Sequence, residues 1–132
     1  MQQPCPYGFG KTVELDYESA LAKVIGLFRE QGFGILFQVD MRKTLRQEAG
    51  VDFRRYMILG VSHFRLASRA FSADTNIGLL LPCTVVVYEE EGGRSTVMAT
   101  DPAHLMDLVR APEAIEVAIE IKAELEALVE RM

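Results

Sequence analysis

The sequence has no tryptophan, only two cysteines and no long apolar run in its 132 residues. Its apolar runs stay below the roughly 18 residues that a bilayer-spanning helix needs, and its amino end lacks the charged and then apolar layout of a signal peptide. Cys5 lies near the terminus and Cys83 lies in an apolar segment, so no disulfide framework is expected, and a reducing compartment would keep both as thiols. These absences predict a cytoplasmic protein with no membrane partner.

Net positive charge is also missing. The formal charge is −5 at pH 7, which argues against a nucleic-acid partner or an anionic membrane, because both need a net basic surface. The charge is uneven, however, since residues 40–69 hold seven basic and three acidic side chains and the rest of the chain is acidic. This basic segment is either the solvated surface of short helices, or a recess for a small anion, or a patch complementary to the acidic carboxyl end of a second copy.

The sequence does have enough apolar material for one core. Hydrophobic residues make up 49% of the chain, and no repeat or long linker divides it, so residues 1–132 are expected to form a single domain. The most apolar run, residues 76–88, is bounded by turn signals and is predicted to be a buried strand. Because Pro82 cannot donate to a strand ladder, a bulge, a bend or an edge is expected there.

Shorter patterns predict the other strands and helices. Alternation predicts strands at residues 11–15, 33–39, 56–62 and 94–99, the last after a Gly-Gly hairpin. In the second of these strands, Ile35, Phe37 and Val39 are expected on one face. The strand at residues 56–62 is mostly apolar on both faces, which favours a central position in the sheet.

Capping residues mark the predicted helices at residues 17–31, 41–49 and 64–72. Asp16 and Asp40 are expected to cap the first two helices, and Gly32 and Gly50 are expected to end them. In the third helix, Phe71 is expected to face inward with Leu66, Ala67 and Ala70.

Prolines mark the start of two carboxyl-terminal helices, at Pro102 and Pro112. In the second of these helices an apolar stripe recurs every three or four residues. Its members are Ala114, Ala118, Ile121, Leu125, Leu128 and Met132. Ile115, Val117 and Ile119 widen the apolar surface beyond that stripe, so the helix is either a buried core element or one that also contacts a partner subunit.

Several blocks of sequence resemble one uncharacterised prokaryotic family, the domain of unknown function 302. The blocks are Tyr7-Gly8-Phe9 with Lys11-Thr12-Val13, Gly32-Phe33-Gly34, Val51-Asp52-Phe53-Arg54, Tyr56-Met57-Ile58-Leu59-Gly60, Asp74, and Ile77-Gly78-Leu79-Leu80-Leu81-Pro82-Cys83 with Val85-Val86-Val87. The resemblance spans almost the whole chain. It implies an α+β domain of β-α-β(4)-α type, with helices packed on an antiparallel β-sheet that is similar to the TATA-binding-protein-like folds. It also implies a homodimer, and no established activity or cofactor.

The sequence offers few groups for catalysis. Ser62 and His63 are neighbours on a predicted strand, so their side chains point to opposite faces and cannot form a nucleophile–base pair directly. Cys83 could meet one of them across the sheet, although free cysteines commonly serve as small buried hydrophobes. Many members of the resembled family have Cys at the position of Ser62, so a two-cysteine site with Cys83 would lack its partner here. Cys5, His63, Cys83 and His104 do not have the spacing of a zinc site, and no metal is expected.

Three hypotheses for function remain. The first is a non-enzymatic homodimeric module, without a cofactor, that binds a small molecule or a protein. The second is a thiol-based redox, metal-binding or small hydrolytic enzyme that uses Cys83 with His63 or Ser62. The third is an anion binder in which the central arginines converge. The predicted ligand-binding residues are Arg54, Arg55, Arg65, Arg69 and Tyr56, and Arg42 is a further member of the convergent set.

Overall fold

The structure, a computed structural model, describes residues 5–102 and 108–132. Its five strands are β1 (Gly8–Val13), β2 (Phe33–Asp40), β3 (Tyr56–His63), β4 (Cys83–Glu90) and β5 (Arg94–Thr100). The α-helices of the described part are α1 (Tyr17–Glu30), α2 (Met41–Ala49), α3 (Phe64–Ala73) and α4 (Pro112–Arg131), and a 3₁₀ helix spans Thr75–Leu79. The strands form one antiparallel sheet in the order β1-β5-β4-β3-β2. The α+β class and the central position of β3 are therefore confirmed.

The ends of the first two helices follow from local hydrogen bonds. The Asp16 carboxylate accepts from the Ser19 N–H at 2.8 Å and the Asp40 carboxylate accepts from the Lys43 N–H at 3.0 Å, so each caps its helix as predicted. Gly32 and Gly50 have φ angles of 84° and 64°, which only glycine adopts without strain. The helix predicted to begin at Pro102 falls largely on residues 103–107, which lie outside the described residues.

The strand predicted at residues 76–88 is wrong in its first half. Thr75–Leu79 form a 3₁₀ helix whose first turn is capped by Asp74, and the strand begins only at Cys83. Ile77 and Leu81 are buried in the core while Leu79 is 88% exposed, so the segment packs as a turn and pairs with no strand. The apolar run was long enough for a strand, but a run without clear periodicity does not distinguish a strand from a buried turn.

The predicted faces of β2 are also wrong. Ile35 lies opposite Val61 and Phe37 lies opposite Gly60, so the register shifts between them and Leu36 forms a bulge. Because a bulge inserts one extra residue, Ile35 and Phe37 project from opposite faces of the sheet. In α3, Phe71 is 44% exposed instead of facing inward.

The core lies between the sheet and helices α1 and α4. The predicted apolar stripe of α4 is buried from Ala114 to Leu128, and Met132, which follows the helix, is partly buried, so this helix is a core element. Ile119 lies outside the stripe and is 59% exposed. Helix α3 is held beside α4 by Arg69, whose guanidinium lies 3.2 Å from Glu113 and 2.9 Å from Glu120.

Substitution by alanine is expected to change the free energy of unfolding in opposite directions at two glycines. In β1, a Cβ at position 10 would overlap the carbonyl oxygen of Val97 and lie 2.7 Å from Cα of Met98, whereas a Cβ at position 26, within α1, would meet nothing within 4 Å. Gly10→Ala is therefore expected to lower the free energy of unfolding by about 1–3 kcal/mol, and Gly26→Ala is expected to raise it by about 0.8 kcal/mol. Chemical denaturation followed by circular dichroism measures both, and equal shifts would contradict the tight approach of β1 to β5.

Candidate functional site

The two faces of the sheet differ in their burial. Leu59, Val61, Val85, Val87 and Val97 project toward α1 and α4 and are fully buried. The alternate positions project the other way, onto a surface that we call the open face. By the strand register its residues include Gly34, Phe37, Val39, Tyr56, Ile58, Gly60, Ser62, Thr84, Val86, Tyr88, Met98 and Thr100, with Glu90 and Arg94 at one end. None of the open-face residues of β2 is buried, and Thr84 in the central strand β4 is exposed.

Aromatic rings cover much of the open face. A Cβ at Gly60 would overlap the ring of Phe37, and one at Gly34 would overlap the ring of Phe64, so both rings lie directly against the backbone. These rings are 44% and 58% exposed. The solvated face of an antiparallel sheet usually carries polar side chains. The open face is apolar at its centre, so its composition is typical of a surface that is covered by another molecule.

Tyr56 is fixed within a row of three rings. It stacks on Tyr88 with ring centroids 5.2 Å apart and planes 4° apart, and Phe53 lies 5.7 Å away on a tilt. Partial burial is the main cause of the raised pKa of Tyr56, and the neighbouring hydroxyls of Tyr88 and Tyr7 add to it. The hydroxyl therefore stays protonated at neutral pH, and the ring has little freedom to move.

A recess of about 220 Å³ opens beside Tyr56, and we call it the tyrosine recess. Its lining residues are Cys5, Tyr7, Gly8, Tyr56, Thr84, Val86, Met98, Ala99 and Thr100. The described lining contains no charged side chain. Four hydroxyl groups, from two tyrosines and two threonines, face an otherwise apolar hollow.

The structure places the predicted catalytic candidates apart. Cys83 lies on the core face opposite Val61, whereas Ser62 lies on the open face opposite Gly34. His63 Nδ1 accepts from the Leu66 N–H at 3.4 Å, so this side chain caps α3. Within the described residues no hydrogen bond joins Cys83 to His63 or Ser62.

Burial governs the chemistry of Cys83. The side chain is 3% exposed, and burial raises the pKa of its thiol to about 12. A thiol reacts as the thiolate, which is almost absent at neutral pH when the pKa is this high. The geometry gives Cys83 the role of a core residue.

Thiol labelling checks this assignment. In the native protein at neutral pH we expect iodoacetamide to modify Cys5, which is partly exposed, and to leave Cys83 unmodified. Both thiols should react in denaturant, which serves as the control. Mass spectrometry of the digested protein identifies the modified positions, and rapid labelling of Cys83 in the folded state would restore the thiol-enzyme hypothesis.

The predicted arginines fall into two groups at opposite ends of β3. Arg54 and Arg55 precede the strand, and Arg65 and Arg69 follow it in α3. A strand of eight residues is about 25 Å long. The structure therefore does not bring the four arginines into one recess.

Most of these arginines already face carboxylates. Arg54 lies 3.6 Å from Glu90, Arg55 lies 3.5 Å from Glu18, and Arg69 contacts glutamates of α4. Arg42 and Arg55 line a shared recess near Tyr17, but Asp16 and the three hairpin glutamates line it as well. The positive charge that an anion would need is largely balanced within the protein.

The described residues also bear on metal and membrane sites. Within residues 5–102 and 108–132, no group of three or more His, Cys, Asp or Glu side chains could hold a metal ion. The same residues contain no helix that is long and apolar enough to cross a membrane.

The fold and its comparisons define the class of protein. The order of elements and the five-stranded antiparallel sheet fit an α+β domain of β-α-β(4)-α type, and they are consistent with a TATA-binding-protein-like arrangement. The chain belongs to the family Domain of unknown function DUF302, whose model matches residues 9–132.

A solved relative has the same fold. This relative is an uncharacterised conserved DUF302 protein from Bacillus stearothermophilus, whose crystal structure is known and whose sequence is 27% identical to this chain. The two structures match with a TM-score of 0.86, over 96% of this chain and 98% of that chain. No similar protein was found among curated proteins. The family and the relative carry no established catalysis, so a function must be argued from the site.

Proposed function

We propose that this chain is a non-catalytic binding module that works as a homodimer, with two copies meeting through their open faces. The observation that carries the proposal is the apolar centre of this face, where Phe37 is exposed and Ile58, Val86 and Met98 are partly exposed and project away from the core. Exposed apolar patches of this kind mark interaction surfaces. The buried Cys83 and the capping role of His63 support the non-catalytic part of the proposal.

The size of the open face fits a protein interface. Five strands about 4.8 Å apart and about 20 Å long give a face of roughly 500 Å² per copy. Two such faces bury roughly 1,000 Å² in total, which reaches the lower limit for a specific interface. Two sheets packed in this way would lie about 10 Å apart, as in a β-sandwich.

Charge favours a second copy as the occupant. Each chain carries a net charge of −5, so association through charged surfaces would oppose like charges. The centre of the open face is uncharged, and the charged pair on the face, Glu90 opposite Arg94, lies at its end. A two-fold axis can therefore bring the two open faces together without burying unpaired charges.

The exposed side of α4 offers a smaller surface. The stripe of this helix is already used in the core, which leaves Ile115 and Ile119 as its exposed large apolar residues. Two isolated side chains cover far less area than a five-stranded sheet. We therefore place the dimer contact on the sheet and not on the carboxyl-terminal helix.

Light scattering coupled to size-exclusion chromatography tests the proposed assembly. We expect a mass twice the 14.8 kDa of one chain, with dissociation only on strong dilution. A mass of one chain at every concentration would overturn the proposal.

Two further predictions from the sequence stay predictions. They are an anion site at Arg54, Arg55, Arg65 and Arg69 and a cytoplasmic location. A phosphate titration of thermal stability can test the anion site.

A further inference from the structure

We propose that the tyrosine recess binds a small, uncharged aromatic molecule. This inference deepens the proposed function and rests on it in one respect, because the second copy would close the mouth of a recess that lies on the open face. The argument depends on the walls of the recess, its hydroxyl groups, its charge and its size.

The walls are flat, apolar and already in place. Tyr56 is held by its stack on Tyr88, so its exposed edge does not need to be ordered when a ligand enters. Val86 and Met98, which lie opposite each other in β4 and β5, form the floor. Aromatic rings pack favourably against tyrosine edges and methionine sulfur.

The hydroxyl groups of the lining are available to a ligand. Those of Tyr7, Tyr56, Thr84 and Thr100 make no hydrogen bond to any other group in the part of the chain that the structure describes. Each can donate to or accept from a hydroxyl, carbonyl or amide group on a ring. They would orient a ligand that has one polar edge.

The described lining of the recess has no charged side chain, which disfavours the binding of charged ligands. No side chain of opposite charge stands in the described lining to neutralise a charged ligand. A charged group that loses its hydration without a partner binds poorly. The recess therefore favours an uncharged molecule over its carboxylate or ammonium analogue.

The volume sets the size of the ligand. The recess holds about 220 Å³, whereas a cavity of about 150 Å³ accommodates benzene and drug-sized ligands occupy about 300–1,000 Å³. One ring with substituents, or two fused rings, fits between these limits.

The test compares 2-naphthol with 2-naphthoate, which has similar rings but a negative charge. Because the chain has no tryptophan, naphthol fluorescence can be followed without protein emission at the same wavelengths. We expect 2-naphthol to bind at least about tenfold more tightly than 2-naphthoate, because only the latter must bury an unpaired charge. Equal or tighter binding of 2-naphthoate would overturn the proposal.

A pair of variants locates the binding site. Thr84→Val keeps the shape of the lining and removes one hydroxyl, so we expect 2-naphthol to bind about fivefold more weakly. Thr44→Val, the matched control in α2, should leave binding unchanged. Bound 2-naphthol should also slow the alkylation of Cys5, which lines the recess. If Thr84→Val binds normally and Cys5 is not protected, the molecule binds elsewhere and the proposal is wrong.

The mass of the protein, measured in the same solutions, separates this proposal from the proposed function. A dimer that does not bind 2-naphthol would overturn the aromatic ligand and leave the dimer standing. A monomer that binds 2-naphthol in the recess would support the ligand and overturn the dimer.

Discussion

Thr84→Glu is expected to convert the homodimer into a monomer, weakening self-association by at least about a thousandfold. Thr84 is exposed on the open face, in the central strand β4 and opposite Gly60 in β3. A glutamate there remains hydrated in the monomer but would be buried without a counterion in the dimer, once in each copy. The cost should therefore fall on association and not on folding. Light scattering of the variant over a range of concentrations measures the effect.

The matched control for this prediction is Ile119→Glu. It adds the same charge to an exposed apolar position of α4, which is 59% exposed and lies outside the buried stripe. We expect this variant to remain a dimer. The reverse result, with Ile119→Glu monomeric and Thr84→Glu dimeric, would move the contact from the sheet to the carboxyl-terminal helix.

The second large effect is expected from Phe28→Ala, which should lower the free energy of unfolding by about 3–5 kcal/mol. Phe28 in α1 has no exposed surface, and its ring packs edge-on against Phe33 with centroids 5.2 Å apart. Removing the ring forfeits its burial and leaves a cavity between the helix and the sheet. Urea unfolding followed by circular dichroism, at one fixed protein concentration so that dissociation contributes equally, measures the loss.

Phe71→Ala is the control for this core prediction. The same ring is deleted, but it is 44% exposed on α3, so the loss should be about 1.5 kcal/mol or less. Similar losses at both positions would mean that Phe28 does not have the packing described here.

Sequence reasoning located the features of the fold that depend on near neighbours. Asp16 and Asp40 cap helices through hydrogen bonds to residues three positions away, and Gly50 ends α2 through its own φ angle. Such features can be recognised from a few consecutive residues. The apolar stripe of α4 was recognised for a similar reason, since its spacing is set by the helix itself.

The wrong predictions depended on contacts between distant segments. Residues 76–82 were apolar enough for a strand, but β3 pairs with β4 only from Cys83 onward, and Ile77 packs into the core instead. The bulge at Leu36 is likewise set by the pairing of β2 with β3. No pattern within either segment contains that information.

Among the residues of the tyrosine recess, Tyr56 was predicted from the sequence to bind a ligand and the others were not. Tyr56 was named as a ligand-binding residue, but together with arginines that do not line the recess. Tyr7, Thr84 and Met98 reach the same recess only through the register of β1, β3, β4 and β5. One signal was present, however, because β3 is apolar on both faces, which is typical of a strand with cover on each side.

The bulge in β2 also bears on how the protein can assemble. This strand forms one border of the sheet, where unpaired N–H and C=O groups could recruit a strand from another molecule. An extra residue at Leu36 interrupts the regular spacing of those groups and twists the border. Growth of fibrous aggregates by strand addition is therefore disfavoured along this border, even though the protein has large apolar side chains in contact with water.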